Sequence, residues 1–246
     1  MKIDNTNKKI ILILAIICIY GVFLFKLVSA VDPGGPDSLN ITSNTTKPAV
    51  GVATVNISGG YIASINLSAT IQDIRWKGFV GYVTGKFTLQ DGAGATLYDW
   101  SLSSITGRVY TTRNSSTLNW ANINCSNITI LNQENNDMAH TNPNDNLNMT
   151  FNTTAGATHN SFYAGTRLIT ADSCPTLNTY VNNVTQDTSF QEIALFEGTS
   201  IVYATIINQN QVGYNGLPFD FQMIVPENGA SGFAGATAYY LYVEIS

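Results

Sequence analysis

The sequence predicts an all-β protein, an antiparallel two-sheet β-sandwich of which a jelly roll is one form. Three observations lead to this prediction: short apolar runs with a two-residue period, turn residues between them, and no crossover helix in the last sixty residues. The clearest runs lie within residues 189–246. Residues 217–225 and 239–245 place apolar side chains at every second position, which indicates strands with one buried face.

Two further strands in this region meet at a glycine. Residues 193–197 and 201–207 are rich in β-branched and aromatic side chains, and Gly198 between them can adopt the positive φ of a tight turn. We therefore expect a hairpin there. Loops rich in glycine, asparagine and proline, at 208–216 and 226–235, separate the remaining strands.

Residues 1–30 predict a secretory signal peptide. Three lysines precede an apolar run at 10–25, and a small-x-small pattern ending at Ala30 suits cleavage. The run is about 16 residues long, shorter than the roughly 20 that span a bilayer. An uncleaved N-terminal anchor is the alternative, and it would then be the contact with a membrane. Either way, we expect a secreted protein at the extracellular cell surface.

Removal of residues 1–30 leaves a chain with few basic residues. Seven Lys and Arg remain against fifteen Asp and Glu, a formal charge of −8 compared with −5 for the whole chain, and none of the seven follows Arg167. Phosphate binding needs clustered cations that displace counterions, so this composition excludes a role in nucleic-acid binding. The uncharged polar surface suits a secreted protein.

Cys125 and Cys174 are the two cysteines that follow the signal peptide, and they predict a disulfide. Closing a loop of about 50 residues contributes roughly 4 kcal/mol to stability in the chain-entropy model. Two buried thiols or a metal pair are the alternatives. A metal is disfavoured because His140 and His159 show no ligand spacing with the cysteines. No metal or cofactor is predicted.

Residues 31–48 predict a flexible arm, and residues 49–246 the β-domain. The arm is rich in Pro, Gly, Ser, Thr and Asn and has few apolar residues to bury. Beyond it, alternating runs at 53–58 and 61–71 flank two glycines and predict a hairpin. Further strands are expected within residues 79–89, 97–102, 105–111, 118–125, 162–169 and 177–184, with a turn at 91–94 after the first.

The Asn-rich stretch at 127–160 interrupts the strand pattern. It predicts a long loop or insertion, with a short helix around 128–138. A division into two β-domains near Asn135 is the alternative. We favour one contiguous domain, because about 200 ordered residues form one large sandwich as readily as two small ones and the halves show no repeat.

Ten Asn-x-Ser/Thr sequons occur in the chain, about twice the number that its composition alone would produce. Asn56 and Asn66 fall on the polar face of predicted strands, where a glycan would point into solvent. Accidental sequons in an Asn- and Thr-rich chain are the alternative. The predicted glycosylation sites are Asn40, Asn44, Asn56, Asn66, Asn114, Asn124, Asn127, Asn148, Asn152 and Asn183.

Acidic side chains offer no convincing catalytic pair. Asp99, Glu197 and Asp220 are the candidates for a glycosidase acid and base, a chemistry that needs two carboxyl groups about 5–10 Å apart. Each is flanked by strand residues, which favours exposed positions on a strand face. The chain also lacks a nucleophile elbow, a phosphate loop and a dinucleotide fingerprint. We therefore expect no enzymatic activity.

Two other groups suggest binding. Trp76, Trp100 and Trp120 are candidates for stacking on sugars, although aromatic residues of all-β domains lie more often in the core. A polar loop offers oxygen ligands for Ca²⁺, but its spacing does not fit an EF-hand and an ordinary solvated loop is favoured. The loop residues are Asp137, Asn142, Asn144, Asp145 and Asn146.

In general character the chain resembles secreted archaeal cell-surface proteins. The shared features are a short lysine-rich signal, an Asn- and Thr-rich β-domain, crowded sequons and few charges. The resemblance covers the whole chain in style and includes no specific motif. It implies a surface-layer or extracellular-filament subunit and assigns no functional residue.

Together these features predict an extracellular structural subunit that self-assembles into a glycosylated filament or surface layer. An arm preceding an open β-domain can add a strand to the sheet edge of a neighbouring copy. The candidate donor residues are Val50, Val52, Val55 and Ile57. Pairing of this strand within its own chain is the alternative. A carbohydrate-binding or adhesive module is the second hypothesis, and a secreted glycan-active enzyme the third.

Overall fold

The computed structural model describes residues 32–49, 51–151 and 158–246. The predicted signal peptide or anchor lies outside these residues. Strands make up 35% of the structure and helices 8%, which confirms the all-β class. Every strand pair is antiparallel. The sandwich and its jelly-roll form stay predictions.

The largest sheet of the described residues has six strands, and four smaller sheets have two each. The six-stranded sheet has the order β14-β4-β10-β9-β5, with β8 also beside β9, and the small sheets are β1-β13, β2-β3, β6-β7 and β11-β12. The elements are β1 (Trp76–Gly81), β2 (Lys86–Gln90), β3 (Thr96–Ser101), β4 (Gly107–Thr112), a 3-10 turn (Trp120–Asn122), β5 (Asn124–Cys125), α1 (Ile128–Asp137), α2 (Leu147–Thr150), β6 (Phe162–Ala164), β7 (Arg167–Ile169), β8 (Thr176–Val181), β9 (Thr185–Phe196), β10 (Ile201–Ile206), β11 (Gln211–Val212), β12 (Pro218–Phe219), β13 (Phe221–Pro226) and β14 (Tyr240–Ile245).

Two predicted hairpins are confirmed. β9 and β10 pair across Gly198, whose φ of +108° requires a glycine at this turn. β2 and β3 pair across the turn at 91–94, where Asp91 accepts the backbone N–H groups of Ala93 and Ala95 through one carboxylate oxygen. Such local side-chain bonds stabilise a turn at the expense of regular structure.

The six-stranded sheet is buried on both faces. On β4, Val109 belongs to one core cluster and its neighbour Tyr110 to another on the opposite face. The β1-β13 sheet and both helices cover the first face, through residues such as Met223 and Leu131. The β6-β7 hairpin and the 3-10 turn cover the second face. This explains why β4 and β10 are buried at nearly every position, polar threonines included.

The predicted hairpin at 53–58 and 61–71 is wrong. Its turn forms, since Tyr61 donates its N–H to the carbonyl of Ser58 at 3.4 Å and Gly60 has a φ of +88°. Residues 51–73, however, contain no strand. The two-residue period is a property of the local sequence, whereas a strand also needs a partner edge and a face to pack against.

The Asn-rich stretch is more ordered than a loop. The predicted short helix is confirmed as α1, and Asn127 caps it by accepting the N–H groups of Thr129 and Ile130. Arg113 makes two hydrogen bonds, at 2.8 and 2.6 Å, to the carboxylate of Glu134 on this helix. The described part of this stretch is thus tied to the core.

The predicted arm contacts the domain near its start. Pro33 is buried, and Gly34 forms an antiparallel bridge with Val243 of β14, with hydrogen bonds of 3.3 and 2.8 Å. Residues 35–46 are exposed and form no helix or strand.

Candidate interaction surface

The most unusual surface of the described chain is the exposed loop at 51–73. Val52 is 98% exposed, Val55 61% and Ile57 50%, and these are three of the predicted donor residues. The fourth, Val50, lies outside the described residues. The second half of the loop, after the turn at Gly60, exposes further apolar side chains, namely Tyr61, Ile62, Ile65, Leu67 and Ile71. Contiguous apolar exposure of this kind is characteristic of interaction sites in soluble proteins.

The base of this loop is fixed to the domain. Lys47, which precedes the loop, donates to the carbonyl of Thr70, so the two ends of the loop approach each other there. Arg75 donates its N–H to Asp73 and forms an ion pair with Asp145. The exposed apolar segments of the loop therefore extend from ends that are held by these contacts.

A groove of about 1410 Å³ lies beside the β1-β13 sheet. Its lining includes residues 39–45 of the arm, residues 78–82 around the end of β1, residues 221–224 of β13 and part of β8. Pockets for small molecules enclose roughly 300–1,000 Å³, so this groove has the dimensions for a larger ligand. Sequence reasoning missed it, because its walls come from distant parts of the chain.

The β2-β3 hairpin presents a second apolar surface. Phe87 lies opposite Trp100, and Leu89 opposite Tyr98, so all four side chains share one face. Each is 45–59% exposed. The rings of Tyr98 and Trp100 lie 4.9 Å apart in an edge arrangement. This hairpin therefore carries an uncovered aromatic face.

The sequons lie at accessible positions wherever the structure describes them. Asn114 and Asn148 are partly exposed, while Asn152 lies outside the described residues. Asn56 and Asn66 are exposed, but the strands on which their placement was predicted do not form. The exposed sequon asparagines are Asn40, Asn44, Asn56, Asn66, Asn124, Asn127 and Asn183.

The predicted disulfide between Cys125 and Cys174 is confirmed, with an S–S distance of 1.97 Å. Cys174 is buried in the second core cluster. Its N–H donates to Nε2 of His159, whose Nδ1 therefore carries the proton and donates to the carbonyl of Asn160. The two alternatives, free thiols and a metal pair, do not apply.

The three candidate carboxylates have separate sets of partners. Asp99 lies on exposed β3 and pairs with Lys86 at 2.5 Å. Glu197 and Asp220 are buried, which corrects the prediction of exposed positions for both. Asp220 accepts the N–H groups of Val83 and Asn210, each at 2.9 Å, and these two hydrogen bonds join two loops. A buried carboxylate of this kind serves as a backbone acceptor.

The tryptophans divide between core and surface. Trp120 is buried, and Trp76 packs against the first cluster while donating to the carbonyl of Asp145 at 2.9 Å. For these two the core position is confirmed. Trp100 is the exception, because it lies on exposed β3 and is itself 49% exposed.

The polar loop considered for Ca²⁺ uses its oxygen atoms internally. Asn142 accepts the N–H of Asn144, and Asn146 caps α2 by accepting the N–H of Met149. Asp145 pairs with Arg75. Among the described residues no group of three or more His, Cys, Asp or Glu side chains is arranged to hold a metal ion.

Comparisons with known protein families, curated proteins and solved structures find no match for this chain. Within residues 32–49, 51–151 and 158–246, no helix has the length and apolar character needed to cross a membrane.

Proposed function

We propose that this protein is an extracellular structural subunit that assembles with copies of itself by donating a strand from the loop at 51–73. The observation that carries the proposal is this loop, which has the alternating pattern of a strand but no partner in the described chain. Main-chain hydrogen bonds to an open sheet edge would supply affinity, and alternate side chains would supply register.

The composition of the loop supports donation. Residues 61–71 contain no charged residue, no proline and no glycine. Ile65 and Leu67 are 57% and 85% exposed, so both side chains are available to a partner. An exposed segment with strand propensity and no charge readily pairs with another edge.

Assembly is tested by comparing two faces of the same run. The double variant Ile65→Ser/Leu67→Ser changes the proposed buried face, and Ile62→Ser changes the opposite face as a control. Burial of one such side chain is worth about 1.5–3 kcal/mol, so the double variant should associate at least about 100-fold more weakly. Sedimentation and electron microscopy measure this. Equal assembly of the double variant and the control would refute strand donation by this run.

We propose further that the subunit is secreted and carries several N-linked glycans. The accessible sequons and the disulfide support this, because disulfides persist in oxidising compartments. Intact mass and peptide mapping of protein from its native source would identify modified asparagines and the first residue. An unmodified polypeptide mass would contradict the glycosylated state.

A second candidate function is carbohydrate binding or adhesion at the β2-β3 hairpin. The uncovered face of Phe87, Leu89, Tyr98 and Trp100 favours it, since amphipathic aromatic rings are effective contact residues. Trp100→Ala should abolish glycan-array binding without changing the circular dichroism spectrum, while Leu97→Ala on the other face should retain it. Absence of binding by the unchanged protein would exclude this function.

A further inference from the structure

We infer that the acceptor for the donated strand is the space between β1 and β14, and that its occupant is residues 61–71 of a second copy, antiparallel to both strands. This inference rests on the proposed function and specifies its acceptor. We call this space the open side of the molecule. Its two walls are the outward edges of β1 and β14.

The first wall is the outer edge of β1. The β1-β13 register, together with the hydrogen bond from Glu227 N–H to the Arg75 carbonyl, directs the odd-numbered residues of β1 toward β13. The even-numbered residues Gly78 and Val80 therefore direct their backbone groups outward. No strand of the described residues pairs with this edge.

The opposite edge of the small sheet is closed. On β13, the N–H of Ile224 donates to the buried carboxyl of Glu192 at 2.8 Å, and the carbonyl of Gln222 accepts from Thr205 at 2.9 Å. β13 contacts β9 and β10, whereas β1 contacts the segment that leads into β14 through Lys77 with Thr237 and Phe79 with Tyr239. The edge available for strand addition is thus that of β1.

The second wall is β14. Its even-numbered residues bond to β4, as the hydrogen bond from Ser246 N–H to Thr106 confirms, so Leu241, Val243 and Ile245 direct their backbone groups outward. No residue of β14 is fully buried, although its sequence is strongly apolar. β4 beside it has five buried residues of six. This difference indicates that β14 lacks a neighbour on its outer side.

The two walls run in the same direction. At one end, Lys77 donates to the carbonyl of Thr237 at 2.6 Å, and Phe79 packs against Tyr239 with ring centroids 6.5 Å apart. At the other end, a Cβ placed on Gly85 would lie 2.6 Å from Cδ1 of Ile245. A strand between two strands of the same direction can be antiparallel to both, as every other pair in this protein is.

The arm of the same chain forms a β-bridge at only one position of the open side, while its residues 39–45 line the groove beside residues 78–82 as an irregular segment. Gly34 bridges Val243, and continuing this antiparallel register places Pro36 opposite Leu241. Pro36 has no N–H to donate there. The arm therefore leaves the edge unpaired on either side of the bridge.

Residues 61–71, which we call the donor run, have the residue pattern that suits the open side. Its six alternating apolar residues, from Tyr61 to Ile71, would face the partly buried side chains of Phe79 and Leu241. Asn66 lies on the other face, where a glycan would remain in solvent. Residues 52–57 fit less well, because the alternation changes phase between Val52 and Val55. Within residues 32–49, 51–151 and 158–246 the run pairs with no strand, which favours a second copy as its acceptor.

Blocking the edge tests the acceptor. Val80→Pro removes an outward N–H that β13 does not use, and proline is tolerated at such edge positions. We expect the Val80→Pro subunit to keep its circular dichroism spectrum and melting temperature when dilute. The concentration at which this variant begins to assemble should rise by about tenfold or more. Val80→Thr keeps the N–H and should assemble normally. Normal assembly of folded Val80→Pro would overturn the acceptor while leaving strand donation intact.

Cysteine pairing identifies the donor copy. Three single variants place a cysteine on the face of the run opposite its apolar residues: Ile62→Cys, Ser64→Cys and Thr70→Cys. Each is mixed with the single variant Val80→Cys under oxidising conditions. We expect a disulfide between different copies for one of these registers, and none with Leu97→Cys. A link formed only within one chain, in Ser64→Cys/Val80→Cys, would show that the run fills its own open side. Absence of any link in assembled protein would overturn the site, whereas absence of assembly would overturn the proposed function as well.

Discussion

Glu192 is a fully buried carboxyl group at the centre of the six-stranded sheet. One oxygen accepts the N–H of Ile224, and the other has no hydrogen-bond partner among the described residues. Burial raises the pKa of this group well above its ordinary value. The folded protein therefore keeps a proton that the unfolded chain loses above about pH 4.3.

The first prediction follows from this difference. Because the folded pKa of Glu192 is raised, the free energy of unfolding should fall as pH increases above about 4.3 toward the folded pKa. Glu192→Gln keeps an acceptor for Ile224 and removes the titration. The variant should gain stability relative to the unchanged protein between pH 4 and pH 7, measured by urea unfolding. Parallel pH profiles of the two proteins would contradict the buried protonated state.

Glu227 provides the opposite case. Burial alone would raise its pKa, but hydrogen bonds from Lys77, Thr237 and the N–H of Asn228 more than offset burial and lower the pKa to about 2. Its stabilising contribution is thus present above the unfolded value of about 4.3 and is lost as pH falls toward 2. Glu227→Gln should destabilise the protein at pH 7 and have little effect near pH 2. An equal loss at both values would contradict this assignment.

At the scale of single elements, Asn127 has two separable roles. It caps α1 and it begins a sequon with Thr129. In protein made without glycosylation, Asn127→Ala should lose about 1 kcal/mol of stability, whereas Asn127→Ser should lose little because serine also caps. Thr129→Ala removes the sequon and leaves the cap. If Thr129→Ala lowered the free energy of unfolding as much as Asn127→Ala, the cap would not explain the loss of stability.

The disulfide joins two regions separated by 49 positions. Replacing both cysteines by serine avoids a single unpaired thiol, and it should lower the free energy of unfolding by roughly 4 kcal/mol through a larger unfolded-state entropy. Denaturant unfolding under oxidising and reducing conditions measures this. The double variant should be insensitive to reductant, and equal reductant sensitivity in both proteins would contradict the role of this bond.

The elements differ in how far the sequence predicts them. β13 and β14 are predictable because each has a period-two pattern that suits its long-range partner. β9 and β10 are predictable because two runs of β-branched and aromatic residues meet at Gly198 and pair as a hairpin. Residues 53–71 have the same pattern, yet no edge of the described chain pairs with them. Local periodicity reports strand propensity, but the partner is a tertiary property.

The candidate surface was predictable only in part. The strand pattern of residues 61–71, the sequons and the disulfide are visible in the sequence because each depends on local residue types or on a cysteine count. The sequence predicts Val50, Val52, Val55 and Ile57 as the donor residues, however, and not this run. The open side could not be predicted, because it forms where β1 and β14 run in the same direction, and these strands lie about 160 positions apart in the chain. Glu197 and Asp220 illustrate the same limit, because both are buried beside residues distant in the chain: Asn114 donates to Glu197, and Val83 donates to Asp220.

At the scale of the whole molecule, the described part of the chain has a run at 61–71 without a strand partner and an edge of β1 without a neighbouring strand. Both features are unfavourable in an isolated subunit, because exposed apolar edges promote association. The proposed donation of a strand from one copy to the next would satisfy both at once. The chain could then extend as a filament, since donor and acceptor are different surfaces of one subunit.

Amide hydrogen exchange of residues 61–71, compared between dilute subunits and the assembled protein, tests this account most directly. In the dilute subunit these amides should exchange rapidly, as in an exposed loop. In the assembly alternate amides of the run, together with those of Gly78 and Val80, should become strongly protected. Rapid exchange of the run within a formed assembly would contradict strand donation by residues 61–71.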